Sequence, residues 1–346
     1  MRKLKNILVT GGCGFIGSNF INFLFGESPF AERYCENNFF DGRIINVDKL
    51  TYAANPENLS KIQKKYGGTR YFFEKADICD KASIFSIFQK YQIDSVVHFA
   101  AESHVDRSIS SPEIFIKTNV LGTQILLEAA KNFWKPDEKN PKINDFLFHY
   151  ISTDEVYGSL DFSSLPFTEK SNYNPSSPYS ASKASGEHLC FAYNKTYGLP
   201  VTVSSCSNNY GPFQNPEKFI PLMLKNIKSG AELPVYGSGN NVRDWIYVDD
   251  HCNAVFQILK NGKTGQKYNI GGECELSNND LLEKLIEIYC NFNAEKESQI
   301  KKRIRHVTDR PGHDLRYAIN CERIKSELNW TQKVSLTEGL KKLTEN

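Results

Sequence analysis

Residues 5–20 read KNILVTGGCGFIGSNF. Lys5 to Thr10 form a short apolar run bounded by glycine, which predicts a buried strand. Apolar residues then recur on a helical period, predicting a helix from about Phe15 to Phe25. The glycines between them read as G-x-x-G-x-x-G from Gly11, or as G-x-G-x-x-G from Gly12. Either pattern is weak alone, because glycine-rich turns are common. A strand before and a helix after are what a dinucleotide-binding turn requires. Gly11, Gly14 and Gly17 let the backbone approach a pyrophosphate. Phe15 and Ile16 sit at the helix N-terminus, where free N–H groups and a positive dipole end favour an anion. Cys13 is read as a small filler.

Working outward, apolar runs recur at Arg43 to Val47, Tyr71 to Phe73, Ser95 to Ala100, Phe146 to Ser152 and Val201 to Ser205, with helical stretches between them. Short, nearly continuous apolar strands alternating with helices predict an α/β fold: a Rossmann-type, doubly wound parallel sheet. Past about Ser205 the segments turn loop-rich, which predicts a smaller α/β substrate domain. The expected division is 1–205 for the dinucleotide and 206–346 for the substrate, with a return to the first domain near 245–270 (KYNI, Lys267 to Ile270). Pro29 to Gly42 and Lys135 to Asn144 break the alternation and read as inserted surface loops.

The acid expected after the second strand is Asp48, in RIINVDKL. It lies further along than the usual ~20 residues, and the insertion before it accounts for the excess. An acid there accepts from ribose hydroxyls and repels a 2′-phosphate, so NAD is expected rather than NADP. Lys49, Leu50 and Thr51 follow it along the cofactor. Asp77 with Ile78 stands where an adenine edge would lie, with a helix N-cap as the alternative reading of Asp77.

Composition narrows the rest. The chain has 346 residues, 40% hydrophobic and 24% charged, with a net charge of +2. A charge so near neutral gives no reason to expect a nucleic-acid partner. No window approaches 18 uninterrupted apolar residues, and the run Ile7 to Val9 is too short for a signal segment, so no membrane partner is expected. Nine cysteines, scattered singly without a C-x-x-C pair, argue against a metal site or a disulfide framework. They suit the cytoplasm.

Two further stretches carry chemistry. Tyr179 and Lys183 in YSASK lie four residues apart in a predicted helix, so both side chains share a face. A lysine ammonium beside a phenol is expected to favour the phenolate, which can then take a proton from a sugar hydroxyl as hydride leaves. ISTDEVYGSL, residues 151–160, ends an apolar run with Ser152, Thr153 and two adjacent acids, Asp154 and Glu155. Neighbouring carboxylates in a partly buried site drive their pKa values apart, which suits one acid and one base.

The segments GGCGFIGSNF, HFAAESHVDRSI, STDEVYGS, PYSASKASGEH, SNNYGPFQNPEKFIP, RDWIYVDDH and DRPGHDLRY run from residue 8 to about 317. Through them the chain resembles the extended short-chain dehydrogenase/reductases, and among these the sugar-nucleotide 4,6-dehydratases that act on dTDP-glucose. The resemblance implies transient NAD reduction in four steps. Tyr179 takes the C4 hydroxyl proton while hydride passes to NAD⁺. Glu155 removes the C5 proton, and Asp154 protonates the departing C6 hydroxyl. Hydride then returns to C6, and a proton goes back to C5. Thr153 orients the substrate and Tyr179. The product would be the 4-keto-6-deoxy sugar nucleotide used in deoxysugar biosynthesis.

The resemblance further places substrate contacts at His104, Thr153, Asn208, Lys218, Phe219, Pro234, Tyr236, Arg243, Asn278, Asp309, Arg310 and His313. Arg243 and Arg310 suit a diphosphate clamp, and Tyr236 a pyrimidine stack. Phe219 stands where relatives commonly carry leucine. Ala100, Ala101, Ser103, Thr118, Asn119 and Asn209 are expected along the cofactor. Arg107 and Asp106 read as a structural ion pair, and His149 and His251 as structural. Thr118 to Phe133 reads as a buried helix, and relatives pair two such helices per subunit, so a homodimer through a four-helix bundle is expected. A UDP- or GDP-sugar dehydratase or a 4-epimerase is the rival reading. The acid pair speaks against the epimerase.

Overall fold

The computed structural model describes residues 1–34, 40–136, 140, 142–293, 295–309 and 312–345. Twelve strands run in chain order among the described residues: β1 Asn6–Thr10, β2 Arg43–Asp48, β3 Tyr71–Lys75, β4 Ser95–His98, β5 Leu147–Thr153, β6 Val201–Cys206, β7 Asn208–Tyr210, β8 Leu233–Tyr236, β9 Val242–Tyr247, β10 Gln266–Ile270, β11 Glu275–Ser277 and β12 Ile304–Val307. Seven of them make one parallel sheet in the order β10-β6-β5-β4-β1-β2-β3. The order reverses between β1 and β4, so the crevice for a ligand lies beyond the carboxyl ends of those two strands. β11, β9 and β7 form a second sheet, and β12 with β8 a third.

Alternation of side chains across the pleat builds the two layers. Ile7 and Val9 of β1 join a core with Ile44 and Val97, while Leu8 joins Ile45, Val96 and Phe148 on the other face. All five β1 residues are buried, as a central strand covered by helices on both faces must be. The first helix spans Phe15–Leu24, one residue short of the expected end. The helix Pro178–Tyr197 opens on a capping box between Ser177 and Ser180 with proline in its first turn. It closes on Gly198 at φ +67°, a left-handed conformation that glycine adopts without strain.

Thr118 to Phe133 is not one regular helix. A short helix Pro112–Phe115 passes through a π-helical stretch, Ile116–Gly122, into the helix Thr123–Trp134. Widened turns of this kind re-aim side chains at functional sites, and here the stretch buries Asn119.

The described part of the first insertion is docked rather than loose. Phe30 donates its N–H to Asp249 (2.9 Å), and the Tyr34 hydroxyl donates to Asp250 (2.8 Å). Asp250 also accepts the N–H groups of Lys333 (2.6 Å) and Val334 (3.1 Å). Both acids are buried, and burial holds each near a pKa of about 6. Asp250→Ala should therefore cost about 3 kcal/mol, because three donors lose their acceptor. A fall in thermal midpoint would show this, while Lys333→Ala, which keeps its N–H, should change little. The middles of both insertions, residues 35–39, 137–139 and 141, lie outside the described residues.

Candidate active site

The phosphate turn is shaped by what a side chain would strike. Gly11 has φ +71°, and a Cβ there would lie 2.7 Å from the Ala100 backbone. A Cβ at Gly17 would lie 2.3 Å from the Gly11 carbonyl, so the helix can pack onto the turn only as glycine. A Cβ at Gly14 meets only the Gly11 carbonyl, at 3.3 Å, and Phe15 and Ile16 follow, half-buried, at the helix N-terminus. Asp48 accepts the N–H groups of Cys13 (2.9 Å) and Leu50 (2.8 Å). Those bonds fix its carboxylate at the tip of β2, where burial raises its pKa against them. Leu50 takes a left-handed φ of 61°, which turns the chain outward with Thr51 exposed. A pyrophosphate against the turn and a ribose against Asp48 fit these residues.

Asp77 is not the cap of the next helix. Asp80 is, accepting from Ala82 and Ser83. Asp77 instead accepts from the Cys79 N–H (2.9 Å) and pairs with Lys49 (2.7 Å), so two predicted cofactor residues hold each other. Ile78 is buried beneath the π-helical stretch, where a Cβ at Gly122 would come within 2.5 Å of it. Asn119 binds both N–H and carbonyl of Glu102 (2.9 and 3.0 Å) and donates to Ser182 (2.8 Å). It thereby ties the loop of Ala100, Ala101 and Ser103 to the helix that carries Tyr179. Thr118 lies beside it, half-buried.

β5 ends at Thr153, whose side chain caps the short 3₁₀ turn Asp154–Tyr157. Thr153 Oγ1 accepts the Glu155 N–H (3.3 Å) and donates to Asp154 Oδ1 (3.3 Å). Asp154 is 2% exposed, and its Oδ2 is buried without a hydrogen-bond partner among the described residues. Burial first, then the charges of Glu155 and Asp244, hold the Asp154 carboxyl protonated far above the carboxylate range; Arg243 and Thr153 oppose this. Expected opposite roles for the two acids thus meet an environment that keeps one of them neutral.

The Tyr179 phenol is also pushed up, first by burial and then by Glu155, Cys206 and Asp154, with the Thr153 hydroxyl acting the other way. This corrects the expectation that Lys183 beside it brings the phenol pKa down. Lys183 lies 4.3 Å from the Tyr150 ring centroid, and its ammonium is itself held down to about 8 by burial. A half-buried tyrosine flanked by acids reaches phenolate only with positive charge brought close.

Arg243 is buried, stacked 4.3 Å over Tyr317, and donates to the carbonyls of Val242 (2.7 Å) and Asp314 (3.0 Å). Burial first, and then the Glu155 charge, push the Tyr317 phenol up. It belongs beside the acid pair, although it was not among the expected residues. Its place in DRPGHDLRY was the available signal. Tyr236 faces His313 edge-on at 6.4 Å, and His313 binds Asp309 at 2.6 Å, so Asp309 and His313 gather beside the end of β8. Pro234 pairs in register with Arg305, and Asn278 donates its N–H to the Asn241 carbonyl (3.1 Å). Arg310 lies outside the described residues.

Lys218 and Phe219 start the helix to Ser229, and His104 comes within 3.8 Å of Glu217 beside it. Arg107 pairs with the same Glu217 (3.4 Å) and stacks 3.7 Å over Tyr52, which corrects the expected pair with Asp106. Asn208 opens β7. Asn209 is held inward, accepting from His251 (2.9 Å) and donating to the Ser207 carbonyl (3.0 Å). His149 is buried between Thr202 and Ser204.

Among the described residues no group of three or more His, Cys, Asp or Glu side chains could hold a metal ion, and no helix is long and apolar enough to cross a membrane. The eight described cysteines are free.

A family model described as GDP-mannose 4,6 dehydratase matches residues 8–343. The chain is 48% identical over 341 residues to a dTDP-glucose 4,6-dehydratase of Haemophilus influenzae, covering 98% of this chain and 96% of that one. It is 48% identical to dTDP-glucose 4,6-dehydratase 1 of Escherichia coli, with coverage of 98% and 91%. The solved dTDP-glucose 4,6-dehydratase of Streptomyces venezuelae, crystallised with NAD bound, superposes with a TM-score of 0.86 at 40% identity, covering 98% of this chain and 96% of that one. A UDP-glucose 4-epimerase of Thermotoga maritima shares the fold at a TM-score of 0.82 and 29% identity, with coverage of 98% and 97%. By near full-length identity, and with both acids of the pair in place, the chain belongs to the dTDP-glucose 4,6-dehydratase family of the extended short-chain dehydrogenase/reductases.

Proposed function

We infer that this chain is an NAD-dependent hydro-lyase that converts dTDP-glucose to dTDP-4-keto-6-deoxyglucose and water. The single observation that carries the reading is the Asp154 carboxyl, buried beside Glu155 at the end of β5, where burial favours its protonated form. An epimerase needs no such pair, whereas elimination across C5 and C6 needs a donor and an acceptor of protons at once.

The turn at Gly11 to Gly17 with Asp48 would hold NAD, which when bound accepts a hydride from C4 and returns it to C6. The chain's own groups move the protons. Tyr179 takes the C4 hydroxyl proton, with Thr153 aligning both. Once C4 is a ketone, the C5 proton is acidic enough for Glu155 to remove it. Asp154, on whose carboxyl burial favours the proton, delivers it to the C6 hydroxyl as that group leaves, and when C6 is reduced the proton on Glu155 goes back to C5. Arg243, braced against Tyr317, would face the diphosphate, and Tyr236 the base.

The same reading assigns residues 1–205 and the return near 245–270 to the cofactor, and 206–346 to the sugar nucleotide. It makes the exposed Ile109, Ile114, Ile116 and Leu121 the face of a homodimer, and it puts the enzyme in the cytoplasm, where its thiols stay reduced. Purified protein given dTDP-glucose should yield a product one water lighter, with the alkaline absorbance of a 4-keto-6-deoxy sugar nucleotide and no accumulated NADH. Turnover of UDP-glucose or GDP-mannose alone would overturn the substrate assignment.

A further inference from the structure

Behind Lys183 lies an ion pair that the mechanism above does not use. Glu187 follows Lys183 by one helical turn on the same face. Its side chain is 0% exposed, and it pairs with Lys267 of β10 (2.7 Å), which is 5% exposed. The Tyr173 hydroxyl donates to Glu187 Oε2 (2.7 Å), and Ser205 donates to Oε1 (3.4 Å). Lys267 also sits 4.2 Å and 4.7 Å from the ring centroids of Tyr157 and Tyr173. A buried ion pair is a poor source of stability, since desolvating two charges offsets their attraction and an apolar pair of similar volume serves folding as well. The energetic cost is better explained by what lies one turn away.

We propose that Glu187, tempered by Lys267, is a positioning residue that keeps the Lys183 side chain protonated and aimed toward the reacting face. This rests on the placement of Lys183 in that site. The arrangement is a column along one helix face: Tyr179, Lys183 and Glu187, with β10 supplying the counter-charge.

The other groups around Lys183 cannot do this. Tyr150 beneath it and Cys190 on its own helix are kept protonated by burial, as is Cys206 on β6. His98 on β4 is held neutral. Tyr179 is raised as well. Around the pair, Tyr157 and Tyr173 are likewise protonated, and Glu169, which accepts the Asn269 N–H (3.0 Å), acts on Lys267. Glu187 is therefore the carboxylate that offsets the desolvation of Lys183.

The test is the alkaline limb of the kcat/KM–pH profile with dTDP-glucose, which reports loss of the Lys183 proton. In Glu187→Gln/Lys267→Met neither member of the pair is left as a lone charge, Lys183 loses its carboxylate, and the limb should move to lower pH by about one unit, with KM at neutral pH unchanged. Glu187→Asp should restore the wild-type limb. Lys267→Met, which leaves the carboxylate with Tyr173 and Ser205, should move the limb to higher pH. NAD content and thermal melting identify the folded variants. A folded double variant whose limb coincides with the wild type's overturns the proposal, as does a Lys267→Met limb that fails to rise. Failure of the underlying reading would look different: Lys183→Met would then leave turnover intact.

Discussion

Glu155→Gln is expected to convert a redox-neutral enzyme into one that stops half-way. Turnover should fall about a thousandfold, the order of effect of losing a positioned general base. Oxidation at C4 should survive, because it depends on Tyr179, Thr153 and Lys183, none of which is altered. Bound NADH should therefore build up to about one equivalent, visible by its absorbance, with no keto-deoxy product beside it. The geometry predicts clean separation. Glu155 is held by its own N–H on Thr153 Oγ1 (3.3 Å), and glutamine at the same position keeps that bond. The variant also removes one of the charges that raise both Asp154 and Tyr179, so the initial oxidation should be no slower than in the wild type. Loss of both half-reactions together would place Glu155 in the hydride step and refute its role at C5. The informative readout is solvent-hydrogen exchange at C5, which should vanish with the carboxylate.

How much of this was legible before any coordinates depended on how local the determinant is. The phosphate turn was readable because a strand, closely spaced glycines and a helix are all set within one short segment, and Gly11 and Gly17 are glycine for reasons their immediate neighbours impose. The doubly wound parallel sheet was readable from alternating apolar runs and helical stretches, since parallel strands need helical crossovers. The acid pair was visible as charge at a strand end. What stayed hidden is set by contacts between distant segments. Arg107 looked like a partner for its neighbour Asp106, yet reaches Glu217 and Tyr52 across the fold. The Tyr–x–x–x–Lys spacing correctly put two side chains on one face, but the acidity of Tyr179 is dominated by burial and then by Glu155, Cys206 and Asp154, which arrive from other elements. Glu187 reads in sequence as one more helical glutamate, and only β10 reveals it as half of a buried pair. The π-helical stretch at 116–122 had no signal in the periodicity, because one widened turn shifts the apolar face by less than the pattern resolves.

Asp154→Asn tests whether the site stores its chemistry as lost stability. Asparagine keeps the size, and Thr153 can still donate to its carbonyl oxygen, but it has no proton to give to a leaving hydroxyl. Dehydration should fall by about two to three orders of magnitude, with oxidation and C5 exchange retained, which separates this variant from Glu155→Gln. The folded protein should at the same time become more stable at neutral pH. The sign follows from linkage: the Asp154 carboxyl titrates far higher in the fold than in the unfolded chain, so between those two values the folded state holds the extra proton. Stability is then fully present below the unfolded pKa and is lost as pH rises toward the folded one. At pH 7 the wild type carries that penalty and asparagine does not, so the variant should gain about 1–2 kcal/mol and lose part of the decline in stability between pH 4 and 7. Melting curves of both proteins across that range are the measurement. A destabilised Asp154→Asn at pH 7, with a pH dependence unchanged from the wild type, would mean that the buried carboxyl is ionised and firmly paired. The proton for the C6 hydroxyl would then have to come from another group facing Glu155, and Tyr317 is the first to examine because the Glu155 charge already acts on it.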